Sequence, residues 1–307
     1  MNEILIQAPA TVANFGPGFD IFALALARPF NRFRVRLDDS GLVKVRIAGD
    51  EEGIPTTPRN NTAGLAAIHF LERVSSAAGV EVEIFKGMRS GSGLGSSAAS
   101  AVACAFGLNK LWGNPLTERD LLDVASRAEV ASGGTPHADN AAACLLGGFV
   151  LIKSYRPLDF IKIKVPRIPM VVGVMRKPQQ TTRRLIPAEF SLSDMKEQMS
   201  SCAALVQALM SGDLEAFGRS INADLISEPV RSRFIPDYAD VKRKVLEAGA
   251  FGFNVSGGGS SVFAVCEEGR TAAVAALMKD LFTRARADCE VLVTQASNSG
   301  VVEVDEL

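Results

Sequence analysis

The amino-acid sequence predicts an α+β protein of two domains, and three observations carry that reading. The chain has 307 residues, 47% of them apolar and 22% charged, enough to bury two cores of ordinary size. Short alternating stretches with the period of a strand are interleaved with longer stretches at helical period, without internal repeat, coiled coil or low-complexity segment. In the second half the order is strand, paired helices, helix, strand, strand, helix, strand, as expected for helices packed on a sheet.

Residues 4–9 read as a strand that enters a turn at Pro9. The stretch Asn14-Phe15-Gly16-Pro17-Gly18-Phe19-Asp20 follows, in which Gly-Pro-Gly forces an irregular loop. A plain turn would need only the glycines. It would not need a short amide at Asn14 and a carboxylate at Asp20 on either side of an apolar segment, where they can meet a polar ligand from both sides. Residues 33–37 and 43–47 alternate around Asp38-Asp39-Ser40-Gly41 and predict a hairpin. Residues 55–61 form a loop. Residues 62–75 form a helix with Leu65, Ile68, Leu71 and Val74 on one face, and Asn60, Asn61 or Thr62 offers its cap.

Val80, Val82 and Ile84 mark a strand, and then comes Arg89-Ser90-Gly91-Ser92-Gly93-Leu94-Gly95-Ser96-Ser97-Ala98-Ala99. Three glycines at alternate positions free the backbone to take φ > 0 and to approach a ligand closely. The Ala-rich helix that follows runs to Trp112, so the loop presents its N–H groups at a helix N-terminus, which suits a phosphate. A serine cap or a flexible linker is the competing reading. No lysine follows the last glycine and the glycine spacing is not that of the dinucleotide fingerprint. The phosphate charge therefore falls to amides, a bound Mg²⁺ and residues from elsewhere.

A helix opens at Thr117, with an acid at Asp120 as in a capping box, and runs to about Ala131, carrying Glu129. Ser132-Gly133-Gly134-Thr135-Pro136-His137-Ala138-Asp139-Asn140 reads as a loop. A lone histidine is more often structural than functional. Here, however, His137 sits among Asp139, Asn140 and Glu129, a density of polar groups that a core does not explain. Residues 149–152 are a strand, 154–168 a Pro-interrupted crossing between the halves, and 171–174 a buried strand. The basic loop 176–187 contains Thr181, Thr182, Arg183 and Arg184, for which solvated surface charge is the plain alternative. Helices over 193–210 and 213–225 lead to Arg231. Two arginines suit a carboxylate, because each planar fork can bond it bidentately. A helix (237–248), a strand–glycine turn–strand (253–265) through Gly257 and Gly258, a helix (269–284) and a strand (290–294) complete the chain.

A net charge of −1 gives no basic surface for nucleic acid, and no apolar run approaches the roughly 18 residues of a membrane span. Five widely spaced cysteines without a CxxC pair point to reduced thiols in a cytoplasmic protein.

The loop Gly93-Leu94-Gly95-Ser96-Ser97-Ala98-Ala99 resembles the phosphate loop of the superfamily of galactokinase, homoserine kinase, mevalonate kinase and phosphomevalonate kinase, with Arg89 roughly where a proline is usual. Four further segments, in order, resemble homoserine kinases. They are the Ala10-to-Asp20 segment, the block from Glu129 through His137, Asp139 and Asn140 to Gly147-Gly148, Glu228-Pro229-Val230-Arg231 with Ile235-Pro236, and, resembling the third motif of the whole superfamily, Ser256-Gly257-Gly258-Gly259 before Val262-Phe263-Ala264. Arg183 aligns with the family arginine by its distance from Pro187. Departures are Val12, Phe15, Ala143, Gln179 in place of a threonine, and Ser260-Ser261 in place of Pro-Thr.

This resemblance implies a fold with a ribosomal protein S5 domain 2-like N-terminal domain (1–158, ATP-binding) and a ferredoxin-like C-terminal domain (159–307). It implies ATP-dependent phosphorylation of L-homoserine to O-phospho-L-homoserine in threonine biosynthesis, by a cytoplasmic homodimer with no nucleic-acid or membrane partner. ATP would be held by Asn61, by residues 89–99 and by Gly257 and Gly258. Mg²⁺ would be held by Ser97 and Glu129, a hydroxyl and a carboxylate that suit a hard cation. The amino acid would be held by Asn14, Asp20, His137, Asp139, Arg183 and Arg231, with Asn140 and Arg183 acting in the transfer. No dedicated base is apparent, Asp139 being the alternative. Two other readings are a superfamily kinase for mevalonate-type alcohols and a non-catalytic binding protein. The substrates of the former lack an ammonium and would leave Asp20 and the arginine pair without a reason.

Overall fold

The computed structural model describes residues 2–49, 53–175 and 182–306. The spine of the first half is the antiparallel pair β1 (Glu3–Ala13) and β2 (Phe22–Asp38), in which Ile4, Ile6 and Ala8 alternate inward. The first strand does not turn at Pro9. It runs on to Ala13, with a register shift between Pro9 and Thr11, the kind of irregularity that tolerates a residue without an N–H donor. That extension carries Thr11 to the edge of the site and delivers Asn14 immediately after it.

Residues 33–37 and 43–47 do not form the expected hairpin. Strand β4 (Gly79–Phe85) pairs with β2, and β3 (Val43–Ala48) lies parallel to β4 on its far side. The helix α1 (Thr62–Arg73) supplies the crossover between them. Alternation specifies which residues face the core, not which strand lies alongside. Val80, Val82 and Ile84 are fully buried, whereas β3 is largely half-exposed, so β4 takes the inner place and β3 the edge. The Asp38 carboxylate accepts from Ser40 N at 2.8 Å, stopping β2 with a local turn.

One face of this sheet is covered by α1, α2 (Ser96–Leu111), α3 (Glu118–Ala128) and α5 (Asp139–Leu146), with α2 buried almost all round. The short α4 (Val130–Gly133) follows Glu129, which ends α3 three residues earlier than the sequence suggested. Asp139 and Asn140, expected in a loop, form the first turn of α5. The hairpin β5 (Phe149–Tyr155) and β6 (Leu158–Ile163) replaces the crossing expected over 154–168, so the sheet continues past residue 158.

The second half is built from β7 (Pro169–Met175), α6 (Leu192–Ser211), α7 (Leu214–Ser220), α8 (Glu228–Arg231), α9 (Tyr238–Glu247), β8 (Ala250–Val255), β9 (Val262–Cys266), α10 (Thr271–Arg284) and β10 (Cys289–Gln295). Its four antiparallel strands are ordered β10-β7-β9-β8, the ferredoxin-like arrangement. Helices α9 and α10 bury Val241, Val245, Met278 and Phe282 on one face. The other face meets the first half, where Phe15 lies 4.8 Å from Phe263, 5.3 Å from Phe217 and 5.9 Å from Phe149 between ring centroids. The last strand, β11 (Val302–Glu303), returns to pair with β1. The two halves thus share a core between them, apart from the one under α9 and α10, and the Asn14–Asp20 loop starts beside it.

Candidate active site

A cleft of about 530 Å³ opens where the glycine loop, the Asn14–Asp20 loop and the Gly257–Gly259 turn meet. At one end Gly91, Gly93 and Gly95 all have positive φ. At two of them space also requires glycine. A Cβ on Gly93 would stand 2.6 Å from Ser256 O, and one on Gly95 2.1 Å from Thr11 Oγ1. The turn of the second half clasps the loop, since Ser256 Oγ donates to Gly93 O at 2.7 Å and Ser261 N to Ser92 O at 3.1 Å. Gly95 is the N-cap of α2, so Ser96 and Ser97 open the helix at the cleft wall.

No lysine follows the last glycine, but one reaches the loop from the segment before it. Lys86 Nζ donates to Ser96 Oγ at 2.7 Å and lines the cleft. It lies just after β4 and ahead of the glycines, so a search for lysine behind them passes over it. Asn31 braces the same corner, donating to Ser96 Oγ at 3.2 Å and accepting from Gly87 N and Met88 N.

Ser97 Oγ donates to Glu129 Oε2 at 2.9 Å, and Glu129 Oε1 is buried with no hydrogen-bond partner. Burial pushes the Glu129 carboxyl up to about 7, with the charge of Asp139 adding to the shift and the Ser97 bond opposing it. An unpartnered buried carboxylate oxygen beside a hydroxyl is a donor set that fits a hard cation.

Ser90, Gly91, Gly93, Gly95, Ser96, Ser97, Gly257 and Gly258 all line the cleft. Asn61 lines it too, but its side chain is spent on structure. Its Oδ1 accepts from Ala63 N at 2.9 Å and Gly64 N at 3.3 Å, and its Nδ2 donates to Pro55 O at 2.7 Å. Arg89 turns away to pair with Asp288 at 3.0 Å. Ser92, Leu94, Ala98 and Ala99 are buried behind the wall, where they shape the loop and its helix. Thr182, which the sequence reading left without a role, also faces the cleft and donates to Gly258 O at 2.9 Å. Gln179 and Thr181 lie outside the described residues.

The other end of the cleft holds Asn14, Asp20, His137, Asp139, Asn140, Arg183 and Arg231. Asp20 and Arg183, assigned by resemblance to a ligand's ammonium and carboxylate, are bonded to each other. Arg183 forks onto the Asp20 carboxylate, one bond being 2.9 Å and the second joining Nη2 to Oδ2. Arg231 is 4% exposed. Its Nη1 donates to Gly257 O at 2.6 Å and its Nε has no partner. Burial lowers its pKa to about 10, although Asp20 and Asp224 favour the charged form. The short α8 that carries it is anchored on both sides. Asp224 accepts from Ser227 N, Ser227 Oγ and Glu228 N, while Glu228 accepts from Tyr238 OH at 2.8 Å, Lys242 Nζ at 2.5 Å and Asn254 Nδ2 at 3.1 Å.

Burial, and then the charge of Asp20, pushes Asp139 up to about 7. His137 bonds Thr135 Oγ1 at 3.0 Å, and burial followed by the charge of Arg183 lowers its pKa. Asn140 Oδ1 accepts from Thr11 Oγ1 at 2.6 Å, which fixes the amide and leaves its NH₂ donors available. The cleft therefore presents glycine-loop amides, a lysine and a cation-compatible pair at one end, and paired acids and arginines at the other.

The sequence profile described as GHMP kinases N terminal domain matches residues 61–148, and that described as GHMP kinases C terminal matches residues 205–282. A homoserine kinase of Methanopyrus kandleri is 42% identical over 267 residues, covering 85% of this chain and 87% of that protein. One from Methanococcus vannielii is 33% identical over 306 residues and 99% of both chains. The crystal structure of homoserine kinase from Cytophaga hutchinsonii matches with a TM-score of 0.92 at 37% identity, over 99% of this chain and 98% of that one. The L. major mevalonate kinase in complex with R-mevalonate shares the fold, with a TM-score of 0.74 at 18% identity. Matched from end to end by such relatives, the chain belongs to the GHMP kinases and, among them, to the homoserine kinase family.

Proposed function

We propose that this chain transfers the γ-phosphoryl group of ATP to the side-chain hydroxyl of L-homoserine, giving O-phospho-L-homoserine. The observation that carries the reading is a single cleft lined by the glycine loop, Lys86, Ser97 and Glu129 at one end and by acids and two arginines at the other, which suits a phosphate chain and an amino acid respectively. Amides of residues 91–97 at the start of α2 would cradle the triphosphate, and Lys86 adds a positive charge beside them. Ser97 and Glu129 would hold Mg²⁺, which would neutralise phosphate charge when bound.

Arg183 and Arg231 would take the substrate carboxylate, and Asp20, Asp139 and Asn14 its ammonium. An arriving ammonium draws the raised Asp139 carboxyl back to its charged form, so Asp139 serves binding rather than proton abstraction. The NH₂ of Asn140 would hold the hydroxyl or a phosphoryl oxygen, with Thr11 fixing its orientation. Phosphoryl transfer needs little covalent help from the protein, and positioning with charge neutralisation is what this cleft offers.

The test is ADP release by the full chain with Mg²⁺ and ATP, comparing L-homoserine with L-threonine, L-serine and mevalonate. Turnover with a marked preference for homoserine is expected. Preference for mevalonate, or no turnover and no binding of either ligand, overturns the reading.

A further inference from the structure

Phe19 lies between the two polar residues of the first loop. Its ring centroid is 5.3 Å from the Arg183 guanidinium carbon and 5.2 Å from that of Arg231. Arg231 is buried and Arg183 half-exposed, and the two cations repel each other. Asp20 occupies the fork of Arg183, while Arg231 meets one carbonyl and leaves its Nε unpartnered. The electron-rich face of an aromatic ring compensates both charges without competing for the N–H donors that a carboxylate needs. A carboxylate side chain in the same place would occupy the donors of Arg231, as Asp20 already occupies those of Arg183.

The backbone on either side of the ring is also fixed. Pro17 O, two residues before it, accepts from Gln198 Nε2 at 2.5 Å and from Cys202 Sγ at 3.2 Å, both on α6. Asp20 N donates to Asn14 Oδ1 at 3.1 Å, and Tyr155 OH donates to Asp20 O at 2.8 Å. Both arginines therefore rest on a platform that is fixed by elements from each half of the protein.

We propose that Phe19 is a specificity-determining positioning residue, whose ring sets the separation of Arg183 and Arg231 and so the width of the carboxylate site. This rests on the reading of the cleft as an amino-acid kinase site. A leucine preserves bulk but removes the aromatic face, whereas tyrosine preserves both.

The experiment compares Phe19→Leu and Phe19→Tyr with the unaltered protein in kcat, KM for homoserine, KM for ATP and Tm. It also measures competition by 3-amino-1-propanol, which keeps the hydroxyl and amine of homoserine but has no carboxylate. Phe19→Leu should raise KM for homoserine by about tenfold. Its kcat and KM for ATP should stay within about twofold, and its inhibition constant for the amino alcohol should not move. Phe19→Tyr should recover homoserine binding. Equal losses for homoserine and the amino alcohol, an unchanged homoserine KM, or a tyrosine variant no better than leucine would each overturn the proposal. Should Phe19→Leu fail to fold, Phe19→Met takes its place with the same criteria. Failure of the unaltered protein to phosphorylate homoserine would instead refute the functional reading itself.

Discussion

Replacing Gly95 by alanine tests the phosphate end of the cleft at its tightest point. The glycine has φ +69°, and an added Cβ would stand 2.1 Å from Thr11 Oγ1 and 3.0 Å from Asn140 Oδ1. Left-handed backbone costs an alanine about 1–2 kcal/mol. The clash must also separate the Thr11–Asn140 pair, whose hydrogen bond is 2.6 Å long, for about 1 kcal/mol more. The expected destabilisation is about 3 kcal/mol in denaturant unfolding. Release of the Asn140 amide should also lower kcat by at least about tenfold. The source of the effect can be isolated, because Thr11→Ala removes the atom that is struck. Alone it should cost about 2 kcal/mol, from the lost hydrogen bond and methyl burial. Combined with Gly95→Ala, the total should fall short of the sum by about 1 kcal/mol, since the contact can be lost only once. Strict additivity, or a Gly95→Ala protein within about 0.5 kcal/mol of the parent with full kcat, would refute the reasoning.

The remaining predictions concern charge. Glu129, raised to about 7, binds a proton in the folded protein that the unfolded chain releases near 4.5. Stability from this group is thus complete below pH 4.5 and is lost as pH rises through about 7. Without Mg²⁺, Glu129→Gln should flatten that decline in thermal unfolding, a change on the order of 3 kcal/mol. If Glu129 holds Mg²⁺ as proposed, its carboxyl must ionise to do so; affinity for Mg·ATP should then weaken as pH falls below about 7, and less steeply in Glu129→Gln, as titration calorimetry would register. Asp139→Asn should raise KM for homoserine while leaving kcat near that of the parent; a large fall in kcat at saturating homoserine would make Asp139 a base instead. Glu228→Gln should weaken the mount of Arg231 by about 2 kcal/mol and raise KM for homoserine but not for ATP, as steady-state kinetics would reveal.

Much of this molecule was legible from local sequence, and what was not has a common cause. Helices α1, α2, α3 and α10 could be read because caps and apolar period are properties of neighbouring residues, as with the Thr117–Asp120 capping box. The partner of β3 could not, because Val43, Val45 and Ile47 have the same alternation whether β2 or β4 lies alongside. The polar end of the cleft was foreseeable from residue types that a core does not need, such as Asn14, Asp20 and Asp139, and the other end from the glycine loop before α2. Thr11 and Thr182 escaped notice because each bonds a distant segment and has no motif around it, and Lys86 because it precedes the glycines instead of following them. The Asp20–Arg183 pair spans 163 positions of sequence, and nothing near either residue announces it.

The carbonyl of Gly257 accepts from Asn14 Nδ2 at 3.1 Å and from Arg231 Nη1 at 2.6 Å. A residue of the first half and one of the second thus take their bearings from a single oxygen atom. Any tilt of one half against the other that pulled this oxygen away would unseat both at the same moment. The grip on an amino acid should accordingly engage and release as a unit, with no half-assembled state in which one arm holds while the other is loose.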